Sequence, residues 1–121
     1  MIKLTFCLVR LPSLSLEAFH DYWLTNHAPL VASVQAPLRI KRYVQLHSFE
    51  PEVSESARLS RNAPPQYDGV AQLWWDSFDD MAATASDPAA REASRMLLED
   101  ERRFIDLANS PLWWGEEKTI F

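Results

Sequence analysis

The chain predicts one α+β domain with the element order βαββαβ, and three observations carry that reading. It has 121 residues of ordinary globular composition, 47% hydrophobic and 24% charged; it holds two long stretches with apolar residues at helical spacing; and between and around them lie short apolar or alternating runs bounded by Pro, Ser and Asp. A chain of this size buries roughly two-thirds of its unfolded surface, so a single core suffices without disulfides or a structural metal. The lone Cys7 agrees, because one thiol forms no internal bridge and gives no sign of an oxidising compartment.

Each element has its own signal. Ile2 to Arg10 mixes β-branched, aromatic and aliphatic residues and stops at Leu11-Pro12-Ser13, the pattern of a strand buried on both faces. Ser15 stands as an N-cap with Glu17 in the first turn, where a carboxylate complements the helix dipole. The helix that follows carries the stripe Leu16, Phe19, Trp23, His27, Leu30 and Val34 and ends before Pro37. Pro29 interrupts it: proline has no N–H, the carbonyl of Thr25 loses its donor, and a kink is expected.

Arg39 to Phe49 alternates Ile40, Arg42, Val44 and Leu46 against Lys41, Tyr43, Gln45 and His47, which predicts a second strand. Residues 50–66, "EPEVSESARLSRNAPPQ", are polar and proline-rich and read as a long surface loop. Asp68 to Trp75, "DGVAQLWW", is the third strand. Ser77 then caps a helix with Asp80 in the reciprocal position, and Asp87-Pro88 restarts it for a run to about Ala108 along Ala90, Ala93, Leu97, Phe104 and Ala108. Asn109-Ser110-Pro111 ends that helix, and "LWWGEEKTIF" supplies the last strand.

In this order, right-handed strand–helix–strand crossovers give a four-stranded antiparallel sheet with the helices on one face, the ferredoxin-like arrangement. The other face is left uncovered. Five Trp and six Phe in a small acidic protein are hard to place against water, so a second copy is expected to pack sheet against sheet in a two-fold homodimer.

Composition also excludes classes of function. A net charge of −5 disfavours nucleic acid, whose binding needs clustered cations. The N-terminal apolar run is broken by Lys3 and Arg10 and is too short for a membrane span or a convincing signal peptide, which leaves the cytoplasm as the expected location. His20 and His27 lie seven apart with no acidic residue at metalloprotease spacing, so no metal site is expected. Cys7 has no assignable base partner, and two glycines, Gly69 and Gly115, build no phosphate-cradling loop. No cofactor is implied.

"FHDYWLTNHAPLV", "RIKRYVQLH", "YDGVAQLWWDS" and "DERRFIDLANSP", in that order and spacing, resemble the EthD family of dimeric α/β-barrel proteins over almost the whole chain except the 50–66 loop. The resemblance implies a homodimer whose sheets face each other. It also implies a pocket between sheet and helices in each subunit, used in related folds for cofactor-free chemistry on apolar or aromatic molecules. Family members are associated with ether breakdown alongside an oxygenase system, or with dehydration and decarboxylation of polyketide-like aromatics. Haem serves some distant relatives, and His27 or His47 could ligate iron, yet no sequence feature demands it.

His27 is the first catalytic candidate. It follows Trp23 by four and Phe19 by eight, so the three project toward the sheet, and imidazole titrates near neutral pH. Its bland alternative is a core histidine bonded to a carbonyl. His47 is the second candidate, sharing a strand face with Tyr43 and Gln45 opposite Val44 and Leu46. If the aliphatic pair lies beneath the helices, His47 points into the dimer interior and cannot meet His27. Phe19, Trp23, Tyr43 and Trp74 are the expected ligand walls, although large aromatics are equally ordinary core. Asp76 reads as turn chemistry, and Tyr22, about 140° from His27 on an α-helix, is expected to face elsewhere.

Two functions fit these residues. One is a cofactor-independent lyase or isomerase in which His27 moves a proton on a small hydrophobic carbonyl or phenolic molecule. The other is a non-catalytic accessory protein that sequesters such a molecule for a partner oxygenase.

Overall fold

The computed structural model describes all 121 residues. Four strands, β1 (Ile2–Leu8), β2 (Arg42–His47), β3 (Gly69–Trp75) and β4 (Leu112–Glu116), form one sheet in the order β2-β3-β1-β4. Every neighbouring pair is antiparallel, so this is the ferredoxin-like α+β topology. Register decides what each face carries. Leu4 pairs with Leu73 and Trp114, Tyr43 pairs with Leu73, and His47 pairs with Gly69. Since paired residues share a face, Leu4, Tyr43, Gln45, His47, Leu73, Trp75 and Trp114 lie beneath the helices, while Val44, Leu46, Trp74 and Trp113 lie on the opposite side.

The alternation of β2 leaves either face open to the helices, and the structure takes the parity that turns Tyr43, Gln45 and His47 inward. Val44 and Leu46 point to the open face, where Leu46 is 58% exposed, and His47 points inward. Strand β2 is also shorter than Arg39 to Phe49. A final helical turn, α3 (Gln35–Leu38), passes through Pro37 and is closed by Arg39 in the left-handed region at φ 58°.

The first helical region carries the caps expected of it. The Ser15 hydroxyl accepts from the Ala18 N–H at 3.0 Å and opens α1 (Leu16–Tyr22). Pro29 does not simply kink the helix. Trp23–His27 form a π-helical turn in which the Ala28 N–H reaches back five residues to the Trp23 carbonyl, and Pro29 falls in the first turn of the next helix, α2 (Ala28–Ser33). There its missing N–H costs little. The extra residue shifts the stripe: Phe19, Trp23, His27, Val31, Val34 and Leu38 are buried, whereas Leu30 is only half-buried.

Residues 50–66 are not a loop throughout. Pro51–Ser60 form helix α4, with Pro51 in its first turn and Arg58 paired with Glu55 one turn away. None of its residues is buried, so it has no apolar stripe to announce it. Ser77 accepts from the Asp80 N–H at 3.1 Å to begin α5 (Phe78–Ala83), and Asp87 accepts from Ala89 at 3.0 Å to begin α6 (Pro88–Glu101). Helix α6 stops short of Ala108. The Phe104 carbonyl accepts from Leu11 and Asp106 donates to Val9, which draws the chain onto the end of β1.

Two buried clusters fill the helix side, one around Leu8, Phe19, Trp23 and Phe104, the other around Val31, Leu38, Trp75 and Ala93. Gly69 is needed where Trp23 crosses β3. A Cβ there would lie 2.5 and 2.9 Å from the indole ring of Trp23 and 2.8 Å from the Leu46 carbonyl oxygen. Gly69→Ala is therefore expected to destabilise the fold by ~1–3 kcal/mol, read as a lower urea midpoint, because the indole and the β2 backbone cannot both retreat.

Candidate active site

The π turn sets the site. A turn closed between residues i and i+5 places residues five apart one above the other, so Tyr22 and His27 come to the same side. Both meet one carboxylate near the end of α6. The Tyr22 hydroxyl donates to Asp100 Oδ1 at 2.6 Å, and His27 Nδ1–H donates to Asp100 Oδ2 at 2.7 Å. The Phe104 ring packs beside the group, its centroid 5.1 Å from those of both the Tyr22 and His27 rings. With Nδ1 committed to Asp100, the unprotonated nitrogen of a neutral His27 is Nε2. Burial holds its pKa below the ordinary 6.5 against the opposing pull of Asp100, so the neutral base is the form present at pH 7. Tyr22 is held above its usual pKa by burial and by donation to Asp100.

His27 is part of the wall of a cavity of about 360 Å³ between the sheet and the helices. The lining comes from both core clusters, including Leu38, Leu73, Trp75 and Leu97, with Trp23, Tyr43, Trp114 and Glu101 among them. Such a space, apolar with a few convergent polar groups, has the character of a small-molecule pocket. Glu101 is the second titratable group in it. Burial, reinforced by the charge of neighbouring Asp100, raises its pKa to about 7, and its carboxyl has no ion-pair or hydrogen-bond partner in the protein.

Tyr43 completes the polar set through a relay from the strand. His47 Nε2–H donates to Gln45 Oε1 at 2.8 Å, and Gln45 Nε2 donates to the Tyr43 hydroxyl at 2.7 Å and to the Trp23 carbonyl at 3.0 Å. Burial lifts the Tyr43 phenol above its ordinary pKa, with the bonds from Gln45 and Trp23 opposing and the Glu101 charge adding to the rise. His47 itself stacks on Trp23 at 4.8 Å and 13° and lies outside the cavity; burial and the nearby His20 lower its pKa.

The residues singled out in the sequence thus separate. His27, Trp23 and Tyr43 line the cavity. Phe19 is fully buried behind Trp23, with ring centroids 5.7 Å apart, and reaches no ligand space. Trp74 is on the other sheet face, between Lys3 and Arg42 at 5.2 and 4.6 Å, so its inward-facing neighbour Trp75 takes the place expected for it. Asp76 pairs with Lys41 at the surface, 3.4 Å away. Tyr22, Asp100 and Glu101 were not among the sequence candidates. A signal existed: Asp100 falls on the apolar stripe of α6, three residues after Leu97 and four before Phe104.

No group of three or more His, Cys, Asp or Glu residues converges to hold a metal ion, and no helix is long and apolar enough to cross a membrane. The comparisons agree with this architecture. The structure is similar to that of an EthD-family protein from Bacillus halodurans, with TM-score 0.63, 16% identity, and coverage of 98% of this chain and 99% of that one. An EthD-like protein from Ralstonia eutropha aligns with TM-score 0.60, 18% identity and coverage of 99% and 94%. A protein from Bacteroides fragilis, described as dimeric, of unknown function and ferredoxin-like in fold, aligns with TM-score 0.58, 10% identity and coverage of 96% and 95%. At these identities the likeness defines the class by fold: a ferredoxin-like α+β protein. The family model of the EthD domain matches residues 11–108, and the chain belongs to the EthD family. No curated protein sequence matches it significantly.

The two titrating groups act on stability in opposite directions. Between 4.5 and about 7 the folded chain keeps the Glu101 proton that the unfolded chain has released, so stability falls as pH rises through that window. His27 has a lowered pKa and withdraws stability as pH falls below 6.5. Glu101→Gln should remove the first slope, gaining about 2 kcal/mol over the parent at pH 8 relative to pH 4 in urea titrations.

Proposed function

We propose that the cavity is the active site of a cofactor-independent acid–base enzyme, of the dehydratase, decarboxylase, isomerase or cyclase type, acting on a small hydrophobic or aromatic molecule. One observation carries the reading: the chain Tyr22–Asp100–His27 ends in a neutral imidazole at the wall of an apolar cavity. A packing histidine needs only its hydrogen bond satisfied. Here the partner is a carboxylate that is itself oriented by a tyrosine, which fixes the tautomer and supports the imidazolium that forms when Nε2 takes a proton. Asp100 and Tyr22 act as positioning residues. The apolar lining accounts for substrate binding and excludes the water that would compete for the proton.

A probe of this chemistry needs only an apolar ketone with acidic α-hydrogens. With 2-tetralone in D₂O, α-proton exchange followed by NMR should fall by about 10²-fold or more in His27→Gln, while ligand quenching of the cavity tryptophans persists. Asp100→Asn should also slow exchange, through loss of the oriented tautomer. Exchange unchanged by His27→Gln would overturn the catalytic reading and leave ligand binding for a partner enzyme as the role.

We further propose a homodimer through the open sheet face. Its support is the exposure of Leu46 and Trp113, 58% and 52%, beside Val44 and Val70 on one side of the sheet, together with the dimeric description of a neighbouring structure. Light scattering should give twice the 14.0 kDa chain mass, and Leu46→Asp should shift the protein to the monomer.

A further inference from the structure

Two hydrogen-bond donors in the cavity have no acceptor in the protein. The Tyr43 oxygen accepts from Gln45 Nε2 at 2.7 Å, and the phenol makes no donated bond of its own. The Glu101 carboxyl, in its protonated form, is the second, since no residue pairs with it. Both belong to the same cavity wall as His27. No Lys or Arg lines that wall, and the other polar side chains there, Thr84 and Ser94, are neutral.

These facts bear on charge. An apolar space that holds a carboxyl and no cation offers nothing to neutralise an anionic ligand, and a carboxylate placed there pays desolvation without a counter-charge. A neutral carbonyl oxygen meets two donors that the protein leaves unspent. We infer that the cavity selects an uncharged carbonyl compound over a carboxylate, with Tyr43 and Glu101 donating to the carbonyl oxygen while His27 Nε2 removes a proton from the adjacent carbon. The inference rests on the acid–base reading of His27 and narrows it to isomerisation or dehydration.

The electron count closes within these residues. His27 Nε2 takes the α-proton, the C–H pair becomes a C–C π bond, and the carbonyl π pair moves to oxygen, which Tyr43 stabilises and Glu101 protonates to the enol. In an isomerisation of a β,γ-unsaturated ketone the enol is a conjugated dienol, and the His27 imidazolium returns its proton at the γ-carbon as Glu101 recovers the enol proton and the double bond moves to the α,β position. In a dehydration the β-hydroxyl takes the imidazolium proton and leaves as water, and Glu101 again recovers its proton as the carbonyl reforms. Tyr43 and a neutral carboxyl are suited to this task because donors in a dry site stabilise the oxygen only where charge develops. The raised pKa of Glu101, about 7, agrees with a carboxyl that keeps its proton near neutrality.

A pair of probes of one shape tests the selection: 2-acetonaphthone, which is neutral, and 2-naphthoate, which is anionic, titrated by calorimetry and by quenching of tryptophan fluorescence at pH 6, where Glu101 keeps the proton it donates to the ketone, and at pH 8, where its carboxylate opposes the anion. The wild-type protein should bind the ketone at least 10-fold more tightly than the carboxylate. At pH 8, where Glu101 is ionised, Glu101→Gln should narrow that ratio to below about 3-fold by improving naphthoate binding, and Tyr43→Phe should weaken the ketone about 5-fold, the loss of one hydrogen bond. Equal binding of the two probes by the wild-type protein, or a ratio that Glu101→Gln leaves intact, overturns the inference. If either result comes with His27-dependent exchange of 2-tetralone, only the charge selection falls. If neither probe binds, the hydrophobic-ligand reading falls with it.

Discussion

The carboxylate of Asp100 joins the two halves of this molecule's chemistry. One oxygen takes the Tyr22 hydroxyl and the other takes His27 Nδ1–H, so a single side chain on α6 ties down the first helical region at two points. That geometry exists only because the helix takes a π turn at Trp23–His27, which brings residues five apart to the same side. The same turn delivers Pro29 to a position where proline is tolerated. A helix breaker and an ionisable ring on one apolar face are two consequences of one backbone adjustment. The expense of burying Asp100 is met by two hydrogen bonds and Phe104 packing beside them, and the outcome is an oriented imidazole at the wall of a largely apolar cavity.

Much of the fold was legible from the chain, and the failures have physical causes. Caps at Ser15, Ser77 and Asp87 are local chemistry, readable wherever Ser or Asp precedes an apolar run, and each accepts the backbone N–H expected of a cap. The β2 faces were another matter. Tyr43, Gln45 and His47 against Val44 and Leu46 is an alternation in which either set could face the helices, and the aliphatic set was the natural choice for the core. It is the more polar set that turns inward, where Tyr43 borders the cavity, His47 stacks on Trp23, and a relay of hydrogen bonds through Gln45 satisfies their polar atoms. Helix α4 was hidden for the opposite reason: it buries nothing, so no periodicity marks it.

The site was half legible. His27 stood out as a titratable group on an apolar stripe, and the same criterion applied to α6 would have found Asp100. Tyr22 could not be found this way, because a uniform 3.6-residue period turns it about 140° from His27. Only a helix with an extra residue in one turn brings the two together. Trp74 and Trp75 differ by one position and by an entire sheet face, so which of two adjacent tryptophans meets the ligand depends on register that composition does not encode.

Asp100 holds His27 as a neutral base with its proton on Nδ1. Nitrogen-15 NMR of the imidazole reads this directly. At pH 7 the His27 ring should show a protonated Nδ1 and an unprotonated Nε2, with titration only below the ordinary histidine range and a change in that midpoint in Tyr22→Phe. An imidazolium at pH 7, or a neutral ring with its proton on Nε2, would contradict the account.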